Sequence, residues 1–197
     1  LETLQCMVER RQGGETGVVS VQCLEGDAVW QARDKGLWSA ELATAACDAI
    51  QKKPEGQMEE HVKDPAVFLV EYADGLKTAT LMLSGYVSDF SYAARVDGEV
   101  QGVEFYLQNE GPFSHFGYLC RNVQDFFRTK KAPYPPERTL LTTGIIDAAM
   151  NSRHEDHRKI ETPYLNVAYS SYDKLPQRPI GTRPVGASID PQAPDII

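Results

Sequence analysis

No stretch of this chain is apolar for long enough to cross a bilayer; runs such as residues 66–70 fall far short of the roughly 18 residues that a spanning helix needs. A basic-then-apolar opening of the kind that directs secretion is missing as well. Positive charge is in deficit, with 20 Lys and Arg against 28 Asp and Glu and a net charge of −8. Neutralising phosphates requires a basic surface, so neither a nonspecific nucleic-acid binder nor an anionic-membrane binder is expected. Cysteine is scarce, and Cys6, Cys23, Cys47 and Cys120 lie too far apart for a zinc knuckle or a redox Cys-x-x-Cys. Four free, mostly buried thiols in a reducing, cytoplasmic compartment are the expectation. No Gly-x-Ser-x-Gly, Walker loop or dinucleotide Gly-x-Gly-x-x-Gly occurs. What remains, 42% hydrophobic and 24% charged over 197 residues, is the mixture of a globular chain with enough apolar residues for a core.

Leu1, Leu4, Met7 and Val8 recur at helical spacing, and the glycines of 12–17 stop that helix before the β-rich Val18, Val19 and Val21. Ser39 is placed to cap a second helix with an apolar stripe of Leu42, Ala45, Ala46, Ala49 and Ile50. From residue 66 the pattern predicts strands over 66–72, 77–87, 90–96 and 100–108. Asp74-Gly75 and Asp97-Gly98 are hairpin signals, because such turns call for positive φ. An antiparallel meander follows, whose third strand sets Phe90, Tyr92, Ala94 and Val96 on one face and Asp89, Ser91, Ala93 and Arg95 on the other. The first set is expected to meet helices, the second a cleft or a subunit interface. Phe116, Leu119, Cys120, Val123, Phe126 and Phe127 form a helical stripe expected to pack on the sheet. Pro136 opens a further helix through Leu141, Ile145, Ala148 and Ala149, and 160–169 can add an edge strand. The prolines beyond Lys174 permit neither helix nor central strand, which predicts one domain over 1–173 and an extended Pro-rich arm over 174–197.

Few groups suggest chemistry. His154 and His157 share a helical face, but a protein zinc site needs a third ligand and the neighbours Arg153, Arg158 and Lys159 fit a solvated turn, so no metal is expected. Tyr86, Asp89, Arg95 and His115 are the substrate-binding candidates, polar groups able to line a cleft and orient a hydroxylated ligand. Taken singly, surface ion pairing or helix capping is the commoner role of Asp89, Arg95 and His115, because structural networks also gather such residues. Tyr86, Tyr92 and Tyr106 can stack on a sugar ring, although strands take tyrosine for packing too.

The order of helix, glycine turn, strand, inserted helix, meander and two long helices resembles the C-terminal domain of the glucose-fructose oxidoreductase/inositol dehydrogenase (Gfo/Idh/MocA) family over roughly residues 1–167. The matching stretches are 1–21, 67–83 with its Tyr72-Ala73-Asp74-Gly75 turn, and 116–152 with a basic, Pro-containing linker and a closing Ser152. The phrases Glu9-Arg10-Arg11-Gln12-Gly13-Gly14-Glu15-Thr16-Gly17 and Glu137-Arg138-Thr139-Leu140-Leu141-Thr142 are similar to those of a divergent subgroup. The resemblance implies an α+β fold, a mainly antiparallel open sheet with helices on one face, like the C-terminal domain of dihydrodipicolinate reductase. It implies a substrate-side and oligomerisation domain of an oxidoreductase acting on a sugar, polyol or related hydroxy compound. The NAD or NADP cofactor and the catalytic Lys would then lie in a Rossmann domain outside these residues, and a His or similar acid/base group at the start of the helix that would lead into Leu1, with no catalytic residue here. Its partners would be a small-molecule substrate and further copies of itself, joined through the open sheet face. The insertion over 25–63 and the proline arm exceed the family pattern. The other reading of the chain is a stand-alone, non-catalytic binding or assembly module with the same fold.

Overall fold

The structure, a computed structural model, describes residues 1–105, 114–172 and 174–175. The expected C-terminal arm therefore lies outside the described residues apart from its first two. The chain divides into two compact units, Leu1–Phe105 with Glu137–Ser170, and Tyr106–Pro136 with Ser171–Ile197. In the first unit helix α1 (Glu2–Val8) runs through the glycine turn into strand β1 (Val18–Glu25). Helices α2 (Asp27–Asp34), α3 (Ala40–Asp48) and the single turn α4 (Met58–His61) precede β2 (Ala66–Tyr72), β3 (Lys77–Met82), β4 (Phe90–Val96) and β5 (Glu99–Phe105). Helix α5 (Ser114–Thr129) belongs to the second unit; α6 (Pro136–His154), past its first residue, and β6 (Ile160–Glu161) belong to the first. Among the described residues no helix is long and apolar enough to cross a membrane.

Strands β3-β2-β1-β6 form one sheet, antiparallel throughout. A β-bulge between Val18 and Ser20 turns Val18 and Val21 to the same side, where Cys23, Phe68, Val70 and Tyr72 join them. Helix α6 covers this face with Leu141, Ile145, Ala148 and Ala149, all fully buried at the spacing of one helical stripe. Ser152 ends the stripe: its hydroxyl accepts from the Cys23 N–H at 3.0 Å and donates to the Arg158 carbonyl at 2.6 Å. It thereby satisfies the edge of β1 beyond the two-residue reach of β6. On the opposite face α2, α3 and α4 bring Val29, Trp38, Ala43, Cys47 and Met58 against Val67, Leu24, Leu69 and Leu81. The α+β class with an antiparallel sheet stands, but helices lie on both faces instead of one. Helix α2 carries little sequence signal because only Val29 and Ala32 of its residues are buried.

A buried polar network joins α1 to the rest of this unit. Glu15 accepts from the backbone N–H of Thr16 (2.8 Å) and Gly17 (2.9 Å), from Gln5 Nε2 (2.7 Å) and from Arg11 (3.3 Å). Gln5 Nε2 also donates to the Tyr169 hydroxyl (2.9 Å), while its Oε1 accepts from Tyr72 (2.9 Å). Tyr169 donates to Glu9 Oε2 (2.7 Å), which also accepts from Arg138 Nε (3.0 Å), and Arg138 reaches the Glu2 carboxylate as well. Gln5, Glu9 and Glu15 are all buried.

Strands β4 and β5 do not continue the sheet. They form a separate two-stranded ribbon, against the single meander expected. Asp97 (φ 50°) and Gly98 (φ 85°) make the turn with both central residues left-handed, whereas at Asp74-Gly75 only Gly75 is so (φ 87°) and Tyr72 N–H closes a longer loop on Leu76 O at 2.8 Å. Both faces of the ribbon are partly covered: Tyr92, as expected, packs against the core that α1 and α6 share, but the other face is covered as well. Gly102 leaves no room for a Cβ against the Ala45 carbonyl, and Arg95 pairs with Glu41, so the side holding Ser91, Ala93 and Arg95 lies on α3. Phe90, Val96 and Val103, expected under helices, are exposed. Small residues on α3 and a glycine on β5 permit a close backbone approach that larger side chains on the other face prevent. In the second unit Phe116, Leu119, Val123, Phe126 and Phe127 of α5 are exposed.

Glu15→Ala leaves Arg11 and two backbone N–H groups without their buried acceptor and is expected to cost about 3–5 kcal/mol in urea unfolding. Ser152→Ala, which removes one neutral hydroxyl, is expected to cost about 1–3 kcal/mol. A smaller loss for Glu15→Ala than for Ser152→Ala would show that the network is peripheral to stability.

Candidate functional site

The sheet face opposite α6 changes character along its strands. Register places Leu24, Val67 and Leu81 in one row, Gln22, Leu69 and Ala79 in the next, and Ser20, Glu71 and Lys77 in the last. The apolar row lies under α2–α4. The polar row extends past those helices and, with Leu37 and with Lys159, which precedes β6, lines a depression of about 150 Å³; Ser20 itself is buried beneath it. That volume is too small for a dinucleotide and suits part of a small ligand, since pockets that enclose drug-sized molecules run to about 300–1,000 Å³.

Glu71 is the centre of the site. Its carboxylate lies 3.0 Å from Lys159 Nζ, 3.9 Å from Lys77 Nζ and 3.5 Å from the Ser20 hydroxyl. Lys159, by hydrogen bond and by charge, holds the Glu71 carboxyl below the usual carboxylate range, with Lys77 adding to the effect. Gln22 donates to the His157 carbonyl at 2.7 Å, which fixes the loop that delivers Lys159. Asp156 and His157 both take left-handed φ, 52° and 62°, and the His157 ring stands 3.1 Å from the Cys23 carbonyl and 4.0 Å from Glu25. The result is a small concavity with cationic donors, a carboxylate acceptor, a hydroxyl and an amide above the apolar side chain of Leu69. Vicinal hydroxyls, each a donor and an acceptor, are the ligand chemistry that such a mixture serves.

The four residues named from the sequence are not brought together here. Tyr86 is buried in the α2–α4 core, its hydroxyl 3.3 Å from both Lys53 Nζ and the Gly56 carbonyl and its ring stacked on His61. Asp89 is exposed between β3 and β4, and Arg95 is held by Glu41 and by the Gly98 carbonyl at 3.1 Å. The His115 side chain and Tyr106 lie outside what is described. None of the three described candidates lines the depression. Lys77 and Glu71 had a signal, opposite charges placed symmetrically about the Asp74-Gly75 turn; Lys159 and Ser20 had none, because their placement depends on β6 pairing and on the bulge. Cys23 and Cys47 are buried, and burial pushes both thiols up in pKa, away from the reactive thiolate; Cys120 is exposed. Among the described residues no group of three His, Cys, Asp or Glu side chains is arranged to hold a metal. Comparison with known proteins finds no matching family model, no similar curated protein and no similar solved structure.

In a carboxyl NMR titration Glu71 is expected to protonate below the ordinary glutamate value of about 4.3, and Lys159→Met to return it towards that value more than Lys77→Met does. Because the folded value is depressed, the ion pair contributes above the ordinary carboxylate range and its contribution disappears as pH falls through the lowered value. An unchanged Glu71 titration in Lys159→Met would contradict the geometry of the site.

Proposed function

We propose that this chain is the substrate-side domain of an NAD(P)-dependent oxidoreductase acting on a sugar, polyol or related hydroxy compound, with the cofactor domain lying outside these residues. The observation that carries this reading is the polar row past α2–α4, where Lys77, Lys159, Glu71 and Gln22 surround a floor at Leu69. Lysine and carboxylate groups in contact can donate to and accept from adjacent hydroxyls at once, and the leucine offers an apolar surface to a C–H face. The resemblance of residues 1–21, 67–83 and 116–152 to the Gfo/Idh/MocA family supplies the reaction class, transfer of hydride between a nicotinamide and a carbinol. In this role the chain's own residues bind and orient the hydroxy compound and supply no proton or hydride.

A second reading, a non-catalytic assembly module, is favoured by the exposed Phe90, Val96 and Val103 on the β4–β5 ribbon, apolar residues that a partner surface would cover.

The test is the native polypeptide from its source, titrated with NADH and NADPH by fluorescence and then assayed on a polyol panel. Cofactor binding and turnover are expected, and Lys159→Met is expected to raise KM for the polyol about tenfold with kcat nearly unchanged, the mark of lost ground-state binding. A native polypeptide that binds neither nicotinamide would sink the oxidoreductase reading and leave the assembly module.

A further inference from the structure

Side chains complete the edge of β1 where β6 stops. β6 pairs only with Ser20 and Val21, so the peptide groups of Cys23 need other partners. Its N–H goes to the Ser152 hydroxyl at 3.0 Å, and its carbonyl meets Nδ1 of His157 at 3.1 Å. A carbonyl only accepts, so Nδ1 carries a proton there. The other ring nitrogen stands 4.0 Å from the Glu25 carboxylate, which Arg153 holds at 2.8 Å. Asp156 and His157 follow α6 in succession with left-handed φ, 52° and 62°. Neither is a glycine, and two side chains in a row adopt that conformation only where their surroundings over-determine it.

We propose that His157 is a positioning residue of the depression: its ring, held on the Cys23 carbonyl, sets the point along β1 at which Lys159 meets Glu71. His157 is tied by its N–H to the Ser152 carbonyl (2.8 Å), by its own carbonyl to Gln22 (2.7 Å) and by its ring to Cys23. Ser152 belongs to α6, and Gln22 reaches the turn through a long, rotatable side chain. The short, stiff imidazole meets the main chain of β1 directly and so fixes the turn along the strand. A glycine at 157 would turn the chain without strain; the histidine turns it with a group that fastens it. Two residues later Lys159 Nζ lies 3.0 Å from the Glu71 carboxylate. That an ammonium so placed serves a hydroxy compound rests on the function proposed above; the placement itself does not.

Three substitutions at 157, read by the carboxyl NMR titration of Glu71, test this. His157→Gly relieves the left-handed backbone and removes the ring, so the variant is expected to keep a cooperative melting transition while Glu71 titrates nearer to its position in Lys159→Met than to that in the parent. His157→Phe keeps an aromatic ring without the N–H and is expected to move Glu71 in the same direction. His157→Asn tolerates the left-handed region and offers an amide N–H where Nδ1 stood, so Glu71 is expected to titrate as in the parent. Lys77 stays beside the carboxylate in all three, and none of them moves Glu71 further than Lys159→Met does. In the native polypeptide His157→Gly is expected to raise the polyol KM about fivefold with kcat nearly unchanged. A Glu71 titration that His157→Gly leaves at the parent position overturns the proposal, as does a His157→Asn variant that shifts as far as His157→Gly. The expected Glu71 shifts, beside a polyol KM that neither His157→Gly nor Lys159→Met changes, uphold the positioning role and count against the proposed function instead.

Discussion

Two carboxylates taken fully out of water, Glu9 and Glu15, set the terms on which the first unit folds. A buried charge of this kind costs several kcal/mol unless its oxygens are saturated with donors. Both oxygens of Glu15 are, by two backbone N–H groups, Gln5 and Arg11, and Glu9 is held by Arg138 and Tyr169. Those donors come from α1, from the glycine turn, from α6 and from the segment at Tyr169, which lie up to 164 positions apart in the chain. No single helix or hairpin can satisfy the pair by itself. The folded arrangement is therefore specified by a requirement that only simultaneous docking meets, whereas the surrounding apolar contacts of Val8, Leu141 and Tyr72 tolerate small slips.

The same docking positions the candidate site. With α1 and α6 committed to one side of the sheet, the other side is available to the α2–α4 insertion, and that insertion is not large enough to reach the last cross-strand row. Where it stops, polarity takes over: Ser20, Glu71 and Lys77 replace the Leu24, Val67 and Leu81 row two steps away. The boundary between core and site is thus a property of three strands read across, visible in none of them separately.

This explains what could be inferred from the order of residues and what could not. The glycine turn, the Ser39 cap, the Asp97-Gly98 turn and the buried stripe of α6 are encoded within a few neighbouring positions, and each is found where those positions place it. The two faces of β4 were separable by alternation, but alternation does not say which face is covered. That was decided by Gly102 and the alanines of α3, residues too small to register as a hydrophobic stripe. The residues chosen as site candidates were polar groups near turns, and Tyr86 and Arg95 turned out to have core and surface partners of their own.

The bulge at Val18 and Ser20 divides β1 into two stretches written in different phases. On one side of Val19 odd and even positions point one way, and on the other side they have exchanged places. Val19 itself, which faces outward, acts as a spacer more than as a side chain. Dropping that one residue would close the bulge into a regular ladder, with Val18, Val21 and Cys23 still turned to α6 and Ser20 and Gln22 still turned away. Dropping any residue from 20 to 23 instead would put the two stretches out of phase unless the bulge closed to absorb it, so Val19 is the slack that lets β1 lose a residue without exchanging its faces.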